Sequence, residues 1–341
     1  MIRATFEIEP LEAAEALALR ASTGMEGGPD WARARVVAAE GRRAVLDFPD
    51  ANWGANVTLL VSALVAGEGA EGRAVTRCRL VDLEIPDGLL PGPAFGVAAQ
   101  PAPVSVGVIV KPSIGLTPTE AAEVARAAVA GGATFIKDDE ILGDPPWCPL
   151  DERVEAVAKV LAPGVVYCAN ITGSTAGLIE RARRVVSLGA TGVMVNAFAQ
   201  GLDSVVALRQ ADLGVPILGH RAGSGAITRN DRFGATGAVL AGLARSCGAD
   251  YWIVGAFGGG LFESDDEVRD NLAALRSARR SERRSVALFG GGLGPDGVAE
   301  QAALAGGEGM VMVLGSKAYG YPGGLEAAVR AAVDRLGGQG G

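Results

Sequence analysis

The densest chemistry in the chain lies in four consecutive residues, Lys137-Asp138-Asp139-Glu140, which set one amine beside three carboxylic acids. If this segment closes a β-strand, alternation sends the side chains of Lys137 and Asp139 the same way. Glu140, where the chain turns, can swing to join them. Two carboxylates converging there form a hard oxygen site suited to Mg²⁺, which usually keeps water and substrate oxygens as its other ligands. The same residues also fit a Lys–Asp salt bridge among solvated acids. A second candidate is His220-Arg221, which holds the chain's only histidine. A lone histidine serves either as a hydrogen-bonded structural group or as a catalytic one, and arginine suits bidentate phosphate recognition. Three stretches, Gly258-Gly259-Gly260, Gly290-Gly291-Gly292 and Gly315-Ser316-Lys317, offer bare backbone. They serve either as tight turns or as an N–H cradle for phosphate. Lys317 either adds a point charge there or faces solvent.

These residues share one feature: each follows a short apolar run. The runs are Val104–Val110, Thr134–Asp138, Val165–Asn170, Gly192–Ala197, Pro216–Gly219, Tyr251–Val254, Val286–Phe289 and Met310–Leu314, each followed by a segment of helical length. Near-continuous apolar strands alternating with helices indicate a parallel sheet covered by helices. Eight such units in about 240 residues close into a (β/α)₈ barrel, whose chemistry sits at the C-terminal ends of the strands. An open doubly wound sheet is the alternative. At those ends the sequence places Lys111-Pro112-Ser113 first, then the Lys-Asp-Asp-Glu segment, Asn170, Asn196 and His220-Arg221, and finally the three glycine stretches. One side of the rim is charged and the other is bare backbone, as a site for a metal on one side and a phosphate on the other requires.

The first 85 or so residues read differently. Ile2–Ile8 alternates as a strand, Leu11–Arg20 has helical spacing, and Ala34–Ala39 and Arg42–Phe48 are strands joined at Glu40-Gly41. Val57–Val65 is helical and Arg73–Ile85 a long strand. The order β-α-β-β-α-β is that of a ferredoxin-like α+β domain, and the proline-rich stretch Pro86–Pro103 is the linker. The fold class is therefore α/β: residues 1–100 form a ferredoxin-like domain with linker, and residues 101–341 form a TIM barrel.

Composition narrows the function. With 31 Lys+Arg against 39 Asp+Glu the net charge is −8 and no basic stripe occurs, which argues against a nucleic-acid partner. The run Arg279-Arg280-Ser281-Glu282-Arg283-Arg284 reads as a solvated helix end. Cys78, Cys148, Cys168 and Cys247 show no CxxC pairing and read as small buried hydrophobes in a reducing compartment. No apolar run approaches the roughly 20 residues that span a bilayer, and the amino-terminus lacks the apolar core of a secretion signal. A cytoplasmic enzyme is expected.

Several segments at their spacings resemble the RuBisCO large-subunit superfamily, most closely its non-carboxylating RuBisCO-like (form IV) branch. They are Ile109-Val110-Lys111-Pro112 followed by Ile114-Gly115-Leu116, Gly131-Gly132-Ala133-Thr134-Phe135-Ile136-Lys137-Asp138-Asp139-Glu140, Cys148–Val154, and Gly219-His220-Arg221-Ala222. The resemblance implies that CO₂ carbamylates Lys137, which then binds Mg²⁺ together with Asp139 and Glu140. It implies that Lys111 acts as general base or acid at an enolisable carbon and that His220 meets a substrate hydroxyl. Arg221 would hold one phosphate, and Gly291, Gly292, Gly315 and Ser316 would form the backbone phosphate cradle. It further implies a homodimer whose active site is shared between subunits.

The departures from the carboxylases are equally informative. Their second lysine is Ser113 here, and their mobile-loop lysine falls where this chain has Gly258–Leu261. A glutamate and an asparagine of the amino-terminal domain correspond to Arg20 and Glu68, and a serine is replaced by Gly290. Losing one preorganised charge typically costs about 10²–10³ in rate, so fixation of CO₂ on ribulose bisphosphate is disfavoured. The expectation is an Mg²⁺-dependent lyase or isomerase that enolises a phosphorylated sugar or sugar acid. The alternative is a catalytically silent, metabolite-binding or regulatory protein.

Overall fold

The computed structural model describes residues 1–66, 75–100, 102–277 and 283–337. Glu68 and most of the basic run near residue 280 lie outside the described residues. The amino-terminal sheet contains β1 (Ile2–Glu9), β2 (Arg35–Glu40), β3 (Arg43–Phe48) and β4 (Arg77–Glu84), with α1 (Ala13–Ser22) and α2 (Val57–Val61) between them. Its order β4-β1-β3-β2, antiparallel throughout, is that of the expected ferredoxin-like domain. Strand alternation does the sorting: Ile2, Ala4, Phe6 and Ile8 of β1 and Ala44, Leu46 and Phe48 of β3 all turn inward. The helix expected over Val57–Val65 begins at Val57, where the Asn56 side chain accepts from Leu59 N at 3.0 Å, but loosens into a π turn from Ser62 to Ala66.

The barrel is closed and parallel. Its strands are β5 (Val104–Ile109), β6 (Phe135–Lys137), β7 (Val166–Asn170), β8 (Gly192–Asn196), β9 (Ile217–His220), β11 (Tyr251–Gly255), β12 (Val286–Gly290) and β13 (Met310–Leu314). Each overlaps one of the eight apolar runs. Phe135, Cys168, Met194, Leu218, Tyr251, Leu288 and Val311 fill the interior, so the barrel is a packed core with chemistry confined to its rim. The covering helices are α3 (Pro118–Ala130), α4 (Leu150–Ala158), α5 (Leu178–Ser187), α6 (Asp203–Gln210), α8 (Gly237–Cys247), α9 (Asp265–Arg276), α10 (Val298–Leu304) and α12 (Gly324–Gly337). Their starts are written locally: Thr117 with Glu120 and Ser264 with Glu267 form capping boxes ahead of α3 and α9.

One connection departs from the repeat. Between β9 and α8 the chain inserts a short helix α7 (Gly225–Thr228) and β10 (Phe233–Ala235), which pairs parallel to β4 and becomes the fifth strand of the amino-terminal sheet. The segment that follows His220-Arg221 therefore joins the two sheets. The linker is fastened as well, since the buried Asp250 carboxylate accepts from Phe95 N at 2.7 Å and Gly96 N at 3.0 Å. No helix among the described residues is long and apolar enough to cross a membrane.

Candidate active site

At the end of β5, Lys111 is held by its own backbone. Its N–H donates to the Tyr319 hydroxyl at 3.0 Å, and that hydroxyl donates to Ile109 O at 2.6 Å. Tyr319 belongs to α11 (Ser316–Tyr319), just beyond β13, so the two neighbouring strand ends are tied together. The Lys111 amine lies 2.5 Å from Asp139 Oδ2 and donates to Ser113 Oγ at 2.8 Å.

At the end of β6, Lys137 is 1% exposed, and its Nζ donates to Asp138 O at 2.8 Å and Glu140 Oε2 at 3.3 Å. Burial lowers the Lys137 pKa, and the nearby Glu140 and Asp139 charges oppose that only in part. Burial alone would push Glu140 up, but the charge and hydrogen bond of Lys137, with help from Lys111, hold it below the usual carboxylate range. His220 Nε2 lies 3.5 Å from Glu140 Oε2. Its Nδ1 accepts from Ala222 N at 3.1 Å, which assigns the ring proton to Nε2. Burial, followed by the charges of Lys137 and Arg221, lowers the histidine pKa far below its ordinary value, so the ring is neutral. The structure thus brings Lys111, Lys137, Asp139, Glu140 and His220 into one contiguous cluster. Asp139 Oδ2 is buried and, apart from the nearby Lys111 amine, has no well-angled hydrogen bond. An oxygen in that condition suits a cation.

The third acid of the tetrapeptide has a different job. The Asp138 side chain points away from the cluster and accepts from Arg153 Nε at 3.1 Å, Tyr167 OH at 2.9 Å and Asn170 N at 2.9 Å. Arg153, also without exposure, spreads its other nitrogens over Cys148 O and Gly143 O at 2.9 and 2.7 Å. Asn170 Nδ2 donates to Asp139 O and Glu140 O at 3.0 and 3.1 Å. The loop carrying the two rim carboxylates is therefore clamped from beneath. Tyr167, Arg153 and Tyr319 carried no sequence signal of this role, although strand alternation does send Asp138 opposite to Lys137 and Asp139.

On the glycine side, Gly291 and Gly292 have φ of +97° and +71°, a region open to glycine at little cost. A Cβ on Gly291 would run into Leu261 and the Gly260 carbonyl, so the turns after β11 and β12 interlock only because both positions are glycine. Together with Gly258, Gly259 and Lys317 they line a cavity of about 500 Å³. A Cβ on Gly315 would come to 3.9 Å from Ile109, Ser316 is exposed, and neither lines that cavity. Arg221, the residue expected at a phosphate, is forked onto Glu263: NH2 donates to Oε2 at 2.8 Å and NH1 contacts Oε1. A larger groove of about 780 Å³ runs between β4 and helices α8 and α9, but it contains none of these groups. Chemistry, not size, locates the site.

The barrel and rim match a known pattern over most of the chain: residues 97–332 fit the model of the ribulose bisphosphate carboxylase large chain, catalytic domain. The chain belongs to that family. Within it, the chain is 35% identical over 269 residues to a ribulose bisphosphate carboxylase-like protein of Allochromatium vinosum, covering 73% of this chain but 58% of that one. It is 33% identical over 307 residues to a 3-oxo-isoapionate-4-phosphate transcarboxylase/hydrolase of Xanthobacter autotrophicus, covering 83% and 73% respectively. It is 34% identical over 222 residues to a 2,3-diketo-5-methylthiopentyl-1-phosphate enolase of Bacillus pumilus, covering 60% and 53%. The chain therefore spans little more than half the length of two of these relatives. Among solved structures of the family, an octameric ribulose-1,5-bisphosphate carboxylase/oxygenase from Pyrococcus horikoshii superposes with a TM-score of 0.90 at 28% identity, over 98% of this chain and 87% of that one.

Proposed function

We propose that this protein is a non-carboxylating, Mg²⁺-dependent enolising enzyme, a lyase or isomerase acting on a phosphorylated sugar or sugar acid. The observation that carries the reading is the cluster of buried Lys137 and Asp139 with half-buried Glu140, and Lys111 and His220 against it. Among the described residues no three His, Cys, Asp or Glu side chains gather to hold a metal. Asp139 and Glu140 supply two carboxylates, and a carbamate on Lys137 would supply the third anionic ligand. The desolvated amine, one hydrogen bond from a carboxylate, fits that modification, and the buried Asp139 Oδ2, which faces the Lys111 amine without a well-angled hydrogen bond, is an oxygen a divalent cation could also use. When bound, Mg²⁺ withdraws electron density from a substrate carbonyl and acidifies the adjacent C–H.

The chain's own groups do the rest. Lys111, positioned through Tyr319 and Ser113, moves the proton at that carbon. His220 offers its Nε2–H to a substrate oxygen. Gly291 and Gly292 present backbone to the phosphate, with Gly315 and Ser316 at the next strand end. Relatives named an enolase and a transcarboxylase/hydrolase support chemistry of this type in place of CO₂ fixation, as do the glycines at 258–260 and 290. A homodimer sharing its sites fits the apolar side chains at the rim: Ile114, Ile141, Trp147, Leu261 and Phe262 are 39–66% exposed.

The test is solvent exchange. Sugar phosphates incubated in D₂O with Mg²⁺ and bicarbonate are expected to take up deuterium at one carbon, with the rate falling about 10²–10⁴-fold in Lys111→Ala. Exchange that persists at full rate after metal chelation would refute the proposal.

A further inference from the structure

We infer that the substrate carries a single phosphate and that Glu263 sets this limit by occupying Arg221. This deepens the enolising reading above and rests on it. Arg221 is 7% exposed and Glu263 5%. The guanidinium gives two nitrogens to one carboxylate, the geometry with which arginine otherwise grips a phosphate. Asn271 Nδ2, on α9, donates to Glu263 Oε1 at 3.0 Å and fixes the acid in place. The Phe262 ring lies 5.8 Å from the guanidinium and covers it further. An incoming phosphate would have to strip the arginine from Glu263 and leave that carboxylate buried, unpaired and beside a second anion. Exposed Arg229 lies 5.4 Å from the same ring and stands outside the buried pair.

The opposite side of the rim contrasts with this. Its turns are glycine, its 500 Å³ cavity is open, and Lys317 extends along it with its Nζ near Gly292. Asp296, which lines that cavity, is already engaged by Arg335, and the Asp265 carboxylate takes only the Gly258 N–H, at 2.8 Å, among the lining glycines. The rim therefore presents one end for a dianion and one end whose arginine is neutralised. That asymmetry selects phosphate monoesters, with a neutral group at the far end of the carbon chain.

The experiment compares ribulose 5-phosphate with ribulose 1,5-bisphosphate by calorimetry on the intact protein, with Mg²⁺ and bicarbonate present. The wild type is expected to bind the bisphosphate no more tightly than the monophosphate. Glu263→Gln, which keeps the shape and removes the charge, is expected to shift the ratio toward the bisphosphate by about tenfold or more, and Arg221→Met in the same background is expected to abolish the shift. A wild type that prefers the bisphosphate by about tenfold overturns the inference while leaving the enolising reading intact, as does an unchanged ratio in a folded Glu263→Gln. A folded wild type that binds neither compound refutes the phosphate site itself, and the inference falls with it.

Discussion

Replacing Arg153 with methionine removes the cation beneath the rim while keeping most of the buried volume. Asp138 then keeps the Tyr167 hydroxyl and Asn170 N–H but loses its ion-pair partner, in a position with no solvent exposure. The carbonyls of Cys148 and Gly143 lose their arginine donors as well. Breaking a fully buried pair by deleting one partner costs about 3–5 kcal/mol, and two orphaned carbonyls lie within that range. At about 2 °C per kcal/mol for a large domain, melting should fall by roughly 6–10 °C. Adding Asp138→Asn removes the stranded charge, so the double variant should recover about half of the loss. Differential scanning calorimetry of the two single variants and the double variant reads all of this. A loss below about 1 kcal/mol in Arg153→Met, or no recovery on adding Asp138→Asn, would refute the reasoning that a buried charge pair clamps the loop.

Two further outcomes follow from local geometry. A Cβ at Gly290 meets nothing within 4 Å, so Gly290→Ser should fold with stability within about 0.5 kcal/mol of the parent by urea titration, and a larger loss would show that the strand end has no room for a side chain. All four thiols are buried, and burial pushes the Cys78 thiol up to about 12 and the other three upward as well. A thiol raised in this way stays protonated through neutral and mildly alkaline pH, so an aromatic disulfide reagent at pH 8 should label none in the native protein and four after denaturation. Rapid native labelling of even one would contradict the packing.

The barrel was readable because its strands are buried on both faces, which leaves apolar runs that no surface helix imitates, and each observed strand falls on such a run. β10 was not readable: three residues with a central glycine, Phe233-Gly234-Ala235, become a strand only because β4 offers an edge. The rim acids were visible as a motif, but their division of labour was not. Asp138 differs from Asp139 only in the direction of its side chain, and what it meets there, Arg153 and Tyr167, lies 15 and 29 residues away. The pairing of Arg221 with Glu263 spans 42 residues and crosses from one strand end to the next. A sequence can show that an arginine is present at a strand end, but not that another side chain has already claimed it.

The central claim is that the Lys137 amine takes up CO₂ to complete a cation site with Asp139 and Glu140. Carbon-13 NMR of the protein equilibrated with labelled bicarbonate and Mg²⁺ tests it without knowledge of the substrate. The expected result is a protein-bound carbamate resonance that sharpens with Mg²⁺ and is missing from Lys137→Met. A spectrum lacking that resonance in the folded wild type, or one in which it survives in Lys137→Met, would contradict the claim.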